Sequence, residues 1–364
     1  MKFERKELEK IVNFLKGAVS TSDSIPILKN ICFEEGMVSA FDGGVGAIVF
    51  FDTQDLRGLL PFDKFSIFVK GKTSNEIEIN FEDDEKVRLT CGRSKSFLSI
   101  SNQEDFTDFG KVIDKFHSKK WKVPNLLPGF KVCLPFSSKK GGVVWNGIHL
   151  FDSFIEATDS KRIARYDMGE TLFGGDAQID SVVLSPEMVK MGLQLSSLDE
   201  VYFDKEISVF GEGDYLVFGN LLAGEYPATE SFFHPAKKIS FELAKRKTDN
   251  GKLVEFPKKE LKECLSRVGD FSGDLVEQSK CKVTLGDTVL IQHEDSVAEI
   301  TEIFDFGKRI PNKIFIVNPY HFAVMIDNCD IFSFQKNTLH GRSEDGRVEC
   351  IVALYKVEDT DLPF

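Results

Sequence analysis

The chain has 364 residues, a length that suits about two to four domains. Its 42% hydrophobic and 29% charged residues exclude wholesale disorder. A net charge of −12 excludes a uniformly basic nucleic-acid coat, though not a positive stripe on an acidic body.

An apolar period of three and four residues, carried by Leu8, Ile11, Val12 and Leu15, predicts a helix over 5–16. Leu59-Leu60-Pro61-Phe62 then opens a second helix running to about residue 71, with Pro61 in its first turn. Glu76-Ile77-Glu78-Ile79 alternates as a strand, and the turn Cys91-Gly92-Arg93-Ser94 enters another over 96–100. The series starts again with a weaker helix over 125–136. Leu184-Ser185-Pro186-Glu187 opens a helix to residue 195, followed by a strand over 200–203, the turn Phe210-Gly211-Glu212-Gly213 and a strand over 215–218. A third series has a helix over 257–267, then Val317-Asn318-Pro319-Tyr320 opening a helix to residue 328. A strand over 330–334, the turn His340-Gly341-Arg342-Ser343 and a strand over 347–354 complete it.

The prolines at 61, 186 and 319 lie a domain length apart, so the pattern is an internal repeat. Val38-Ser39-Ala40-Phe41-Asp42 also resembles Ile155-Glu156-Ala157-Thr158-Asp159, and Glu104-Asp105-Phe106 resembles Gly224-Glu225-Tyr226. The expected organisation is α+β, with three tandem domains at 1–113, 114–236 and 237–364. Each is built from two copies of one helix plus three or four strands. The 34 phenylalanines read as bulky core filling.

No catalytic constellation stands out. The histidines lack metal-ligand spacing, the Gly-rich stretches at 43–46 and 140–142 lack a following Gly-Lys-Ser/Thr, and no Gly-x-Ser-x-Gly elbow occurs. No cofactor is expected. Seven cysteines, odd in number and without a Cys-x-x-Cys pair, read as reduced, mostly buried thiols. The start Met1-Lys2-Phe3-Glu4-Arg5-Lys6 has no apolar stretch behind it, and the longest charge-free stretch, 314–326, is broken by Asn318-Pro319. A cytoplasmic protein with no membrane partner is the expectation. The helices together carry an excess of Lys and Arg on an otherwise acidic chain, which would present a positive stripe to a polyanion.

Several segments resemble the bacterial-type sliding clamp, the β subunit of DNA polymerase III. They are Met1-Lys2-Phe3, Ile25-Pro26-Ile27-Leu28-Lys29-Asn30, Gly92 to Ser99, Trp145-Asn146-Gly147-Ile148, Ala157-Thr158-Asp159-Ser160-Lys161-Arg162-Ile163-Ala164 and Gly224-Glu225-Tyr226-Pro227, in the family's order. The chain departs from the pattern at Ser22, at Ser160-Lys161 (where the family has Gly-His) and in a tail running past Leu354-Tyr355 to Phe364.

The resemblance implies three clamp domains, each two helices packed on two antiparallel sheets, forming half of a ring. Two copies would close head to tail around double-stranded DNA and tether the replicative polymerase, without catalysis or cofactor. Implied partners are DNA, a second copy, the polymerase, the clamp loader and other proteins carrying clamp-binding peptides. The alternatives are a clamp-fold scaffold or decoy that does not encircle DNA, and an unrelated cytosolic enzyme.

For DNA contact the implied residues are Lys139 and Lys140, with Arg5, Lys10, Lys64, Lys70, Lys262 and Arg267 on the helices. The implied partner-peptide pocket comprises Trp145, Thr158, Ser160, Lys161, Arg162, Ile163, Pro227, Phe232, Val352 and Leu354. The implied dimer interface uses Phe106 and Phe271. The acidic tail 358–364, ending Leu362-Pro363-Phe364, has the order of a pocket ligand, against the plainer expectation of a solvated terminus.

Overall fold

A computed structural model describes residues 1–70, 74–83, 85–102, 106–137, 144–173, 179–198, 200–233, 241–243, 246–247, 253–254, 257–272, 278–286, 288–294, 299–304 and 312–356. One succession of elements recurs three times. The first copy is β1 (Lys2–Glu4), α1 (Arg5–Leu15), β2 (Asn30–Glu34), β3 (Met37–Phe41), β4 (Val45–Phe50), β5 (Gly58–Pro61), α2 (Phe62–Val69), β6 (Glu76–Asp83), β7 (Lys86–Cys91) and β8 (Ser94–Ser99). After α3 (Gly110–Lys119), the second is β9 (Trp121–Lys122), α4 (Leu126–Cys133), β10 (Ile148–Phe151), β11 (Phe154–Thr158), β12 (Arg162–Asp167), β13 (Ser181–Leu184), α5 (Pro186–Gly192), β14 (Glu200–Phe203), β15 (Ile207–Glu212) and β16 (Tyr215–Asn220). The third begins with β17 (Phe241–Glu242) and a small hairpin of β18 (Arg246–Lys247) and β19 (Leu253–Val254). It continues with α6 (Lys258–Phe271), β20 (Cys281–Leu285), β21 (Val289–Glu294), β22 (Glu299–Phe304), β23 (Lys313–Val317), α7 (Pro319–Asn328), β24 (Ile331–Gln335), β25 (Thr338–Arg342) and β26 (Val348–Ala353). No helix among the described residues is long and apolar enough to cross a membrane.

The turn after the third strand of the first two copies is made by the same residue in the same way. The Asp42 carboxylate accepts from the backbone N–H groups of Gly44 and Val45 at 2.8 and 2.7 Å, and Asp159 accepts from those of Lys161 and Arg162 at 3.1 Å. Both are Asx turns, in which a short carboxylate replaces the missing backbone partner. Helix entry repeats as well. Ser185 and Asn318 cap α5 and α7 with their side-chain oxygens, and Pro186 and Pro319 occupy the first helical position, where no N–H is needed. Pro61 departs from that pattern: it ends β5 and precedes α2 rather than entering it.

By internal contacts the chain has two compact units, Met1–Phe130 with Leu172–Ala223, and Lys131–Thr171 with Gly224–Phe364. In the first, one sheet has the order β1-β6-β7-β8 and a longer one the order β5-β2-β3-β4-β16-β15-β14-β9, all pairs antiparallel. Leu8, Ile11, Val12 and Leu15 of α1 are buried, as their spacing predicts, and Phe33 meets Phe65 of α2 edge-on at 5.6 Å. A second apolar layer joins Ile48, Leu216 and Phe218 of the long sheet to Phe106, Phe109 and Phe116 in and before α3. Gly46 lies under the Phe218 ring, where a Cβ would sit 2.0 Å from a ring carbon, so only glycine fits.

In the second unit, one sheet runs β10-β11-β12-β26-β25-β24-β17 and the other β22-β21-β20-β23. Leu261, Leu265 and Val268 of α6 and Phe322, Met325 and Ile326 of α7 fill its core, where Phe315 meets Phe322 edge-on at 5.7 Å. Burying each such side chain is worth roughly 1.5–3 kcal/mol. All seven cysteines are buried free thiols.

Several boundaries differ from the sequence reading. α4 stops at Cys133 and passes into a 3-10 turn, Leu134–Phe136, because Pro135 lacks an N–H for the helix ladder. α5 ends at Gly192 and α6 runs on to Phe271. α3 has no counterpart among the helices expected from the sequence.

Candidate partner-binding site

The pocket residues expected from the sequence lie in the second unit. The structure brings most of them together at one hairpin turn and the strand beside it. Between β11 and β12, Thr158 donates its hydroxyl to the Arg162 carbonyl at 2.8 Å and accepts from the Ser160 N–H at 3.2 Å. Ser160 adopts φ 71°, a left-handed conformation that glycine takes without strain and serine does not. Asp159 folds back to accept from Arg162 Nε at 2.8 Å, and the Arg162 guanidinium stands 5.2 Å from the centre of the Phe136 ring. An ion pair and a ring face therefore fix its position.

β26 completes the arrangement. Ile163 is opposite Ile351 and Arg162 opposite Val352, while the Ala353 N–H donates to the Lys161 carbonyl at 2.8 Å. Leu354 donates its N–H to the Asn337 carbonyl and is half-buried; Val352 is fully buried. Lys161 and Ser160 are exposed at the turn. Trp145 and Phe232 are 54% and 52% exposed, unusual for side chains of that size, and Pro227 is half-buried. The turn and the strand end beside it thus join an apolar edge to a fixed arginine and an exposed lysine. Such a surface suits a short peptide with apolar anchors and an acidic or polar lead. His321 of α7 is buried nearby. Burial first, then the charge of Arg162, press its pKa down to about 4; Asp159 pulls it back in part and Lys161 adds a smaller push downward.

The sequence reading missed a polar cluster further along the same two strands. Glu156, fully buried, accepts from Arg165 Nε and Nη2 at 3.0 and 2.7 Å and from the Thr229 hydroxyl at 2.6 Å. Arg165 also reaches Glu230 at 2.8 Å and stacks on Phe151, Phe154 and Phe233, whose ring centres lie 4.1–5.5 Å away. Burial raises the Glu156 pKa, opposed by the Thr229 hydroxyl and the Arg165 charge. His149 lies between Phe151 and Tyr226, with ring centres at 4.5 and 4.4 Å. The signal available in the sequence was register: a hairpin turning at 159–161 sets Glu156 opposite Arg165.

The expected DNA-contact residues divide. Lys10, Lys64 and Lys70 are exposed. Arg5 donates to the Ser74 carbonyl at 2.8 Å and pairs with Glu9, Lys262 pairs with Asp327, and Arg267 holds Glu302 at 2.8 and 3.1 Å. Lys139 and Lys140 lie outside the described residues, as does the tail 358–364. Phe106 is 8% exposed and packs edge-on against Phe109 at 5.9 Å, so its side chain belongs to a core rather than a free surface. Phe271, at the end of α6, is 44% exposed.

The threefold succession and its sheet topology define the sliding-clamp fold. More particularly, the fold of this chain is that of the bacterial DNA polymerase III β subunit. The β subunit of Streptococcus pyogenes superposes with a TM-score of 0.77 at 16% identity, covering 98% of this chain and 99% of that one. The Helicobacter pylori β clamp bound to a DNA ligase peptide gives 0.77 at 18%, covering 98% and 100%. The DNA polymerase sliding clamp of Bacillus subtilis gives 0.76 at 15%, covering 98% and 99%. No protein-family model and no curated protein matches the sequence.

Proposed function

We propose that this chain is a DNA sliding clamp: a non-catalytic, cytoplasmic processivity factor of three domains, 1–113, 114–236 and 237–364. Two copies close head to tail around duplex DNA. The observation that carries this reading is the fold likeness to β clamps over 98% of the chain, together with the threefold repeat within it. Encirclement needs no base readout, only a weakly held positive lining. Lys10, Lys64 and Lys70 are exposed to supply one, with Lys139 and Lys140 as further contributors.

Topology gives the direct test. Protein loaded on nicked circular duplex should stay bound through gel filtration and be lost when the circle is linearised. A monomer that is lost from both forms but still captures partner peptides would instead make the chain a clamp-fold scaffold.

The peptide pocket is the turn 158–163 with the end of β26, flanked by Trp145, Pro227 and Phe232. It receives peptides from the polymerase, the clamp loader and other partners; the H. pylori neighbour was solved with a DNA ligase peptide. Arg162→Ala combined with Leu354→Ala removes the fixed cation and one apolar anchor, and is expected to weaken a Leu-Phe peptide by more than about tenfold. Fluorescence anisotropy measures the loss, and light scattering should show unchanged mass. Wild-type affinity in the double variant would move the pocket elsewhere.

A further inference from the structure

The chain leaves its last strand at the pocket, and it leaves among cations. The Ala353 N–H donates to the Lys161 carbonyl at 2.8 Å, the Leu354 N–H to the Asn337 carbonyl at 2.8 Å and the Tyr355 N–H to the Ile316 carbonyl at 2.9 Å. Lys161 stands at the first of these steps. Lys336 precedes Asn337 in the turn between β24 and β25 at the second. At the third, Lys280 holds its Nζ 4.7 Å from the centre of the Tyr355 ring. All three lysines are exposed, as is Lys356, while Asp159 of the same hairpin turn is drawn onto Arg162. On a chain of net charge −12 this exit is a basic spot.

The eight residues that follow are Val357-Glu358-Asp359-Thr360-Asp361-Leu362-Pro363-Phe364: three acids and no base, then Leu and Phe on either side of a proline. Apolar anchors behind an acidic lead are what the turn 158–163 and the end of β26 suit, so charge and apolar character both match. Reach is ample. Lys356 is four residues past Val352, which lies directly opposite Arg162. The segment therefore starts within about 20 Å of Arg162, and eight extended residues span roughly 26 Å. A ligand tethered this closely meets its site at an effective concentration of about millimolar, so a modest intrinsic affinity is enough. Pro363 fixes one φ and lowers the ordering cost.

We propose that residues 357–364 occupy the peptide pocket of their own chain. The acids face Lys161 and Arg162, Leu362 and Phe364 lie on the apolar strand end, and every external peptide must displace them. This rests on the pocket assigned above and makes that pocket self-occluded. The probe is a fluorescein-labelled synthetic peptide of residues 357–364, followed by anisotropy. A chain ending at Lys356 should bind it, and the full chain should bind it about tenfold or more weakly. Leu362→Ala with Phe364→Ala in the full chain should restore binding to the truncated level, with unchanged circular dichroism. No binding to the truncated chain, or equal affinity of the full and truncated chains, would overturn the proposal. A full-chain isotherm depressed only at high protein concentration would seat the segment in a second copy and overturn its placement in the same chain. A separate Leu-Phe peptide distinguishes these failures from failure of the pocket. If it binds the truncated chain and is lost with Arg162→Ala and Leu354→Ala, the pocket stands and only self-occlusion falls. If it binds that double variant equally well, the pocket assignment falls and self-occlusion with it.

Discussion

Replacing Arg165 with alanine is expected to destabilise the second unit by about 3–5 kcal/mol, the usual cost of stranding a buried charge. Glu156 has no solvent exposure, and its carboxylate depends on Arg165 and the Thr229 hydroxyl for its hydrogen bonds. Without the guanidinium it must either ionise in an apolar surround or take up a proton. The three phenylalanine rings around Arg165 would also lose their packing partner. The effect extends to the candidate site, since Thr229 and Glu230 tie the segment carrying Pro227 and Phe232 to β11 and β12. Urea unfolding followed by circular dichroism measures the loss. The paired change Glu156→Leu with Arg165→Met removes both charges and should recover most of the stability, because a well-packed apolar pair can replace a buried ion pair. A loss under about 1 kcal/mol for Arg165→Ala would mean that water reaches Glu156 and the pair is a surface bridge.

How much of this was legible depended on whether a feature was local. Leu8, Ile11, Val12 and Leu15 announce α1 through spacing alone, and all four are buried where that spacing puts them. The prolines that open α5 and α7 work in the same way, through a fixed φ and a missing donor. α3 escaped because it has no counterpart in the repeat. Its burial comes from Phe116 packing against the long sheet, a tertiary fact that no window of sequence contains.

The site divides along the same line. Thr158 to Ile163 is one contiguous turn, so its residues could be named together. Phe136, the ring under Arg162, is distant in sequence and went unnamed. Glu156 and Arg165 look like solvent-facing charges on two strands until the register sets them opposite each other. With 34 phenylalanines in the chain, aromatic character could not separate an interface from a core. Phe106 is buried beside Phe109, while Phe271 and Phe97 are exposed, and the three look alike in the sequence.

Mild acid should weaken the fold, and two histidines of the second unit, the half-buried His149 and the buried His321, set the window. Burial first, then the Arg165 charge, lowers the His149 pKa from 6.5 to about 4. His321 is lowered to about 4 by burial, Arg162 and Lys161. Both are therefore neutral in the folded chain at pH 7, whereas in the unfolded chain they titrate near 6.5. Between about pH 6.5 and 4 the unfolded state binds protons that the folded state refuses, so stability falls as pH falls, by on the order of 2–3 kcal/mol for each histidine. Glu156 opposes this. Its folded pKa is raised, so protonation favours the folded state in the lower part of that window and blunts the loss. Urea midpoints at pH 7.5, 6 and 5 should decline in that order. His149→Phe keeps a ring between Phe151 and Tyr226 but removes one titrating group, so it should flatten the decline by about half. A wild-type midpoint that stays level from pH 7.5 to 5 would show that these rings take up protons in the folded state. Because His321 shares its surroundings with Arg162, a charged imidazole there would push against the cation that the pocket presents to its peptide.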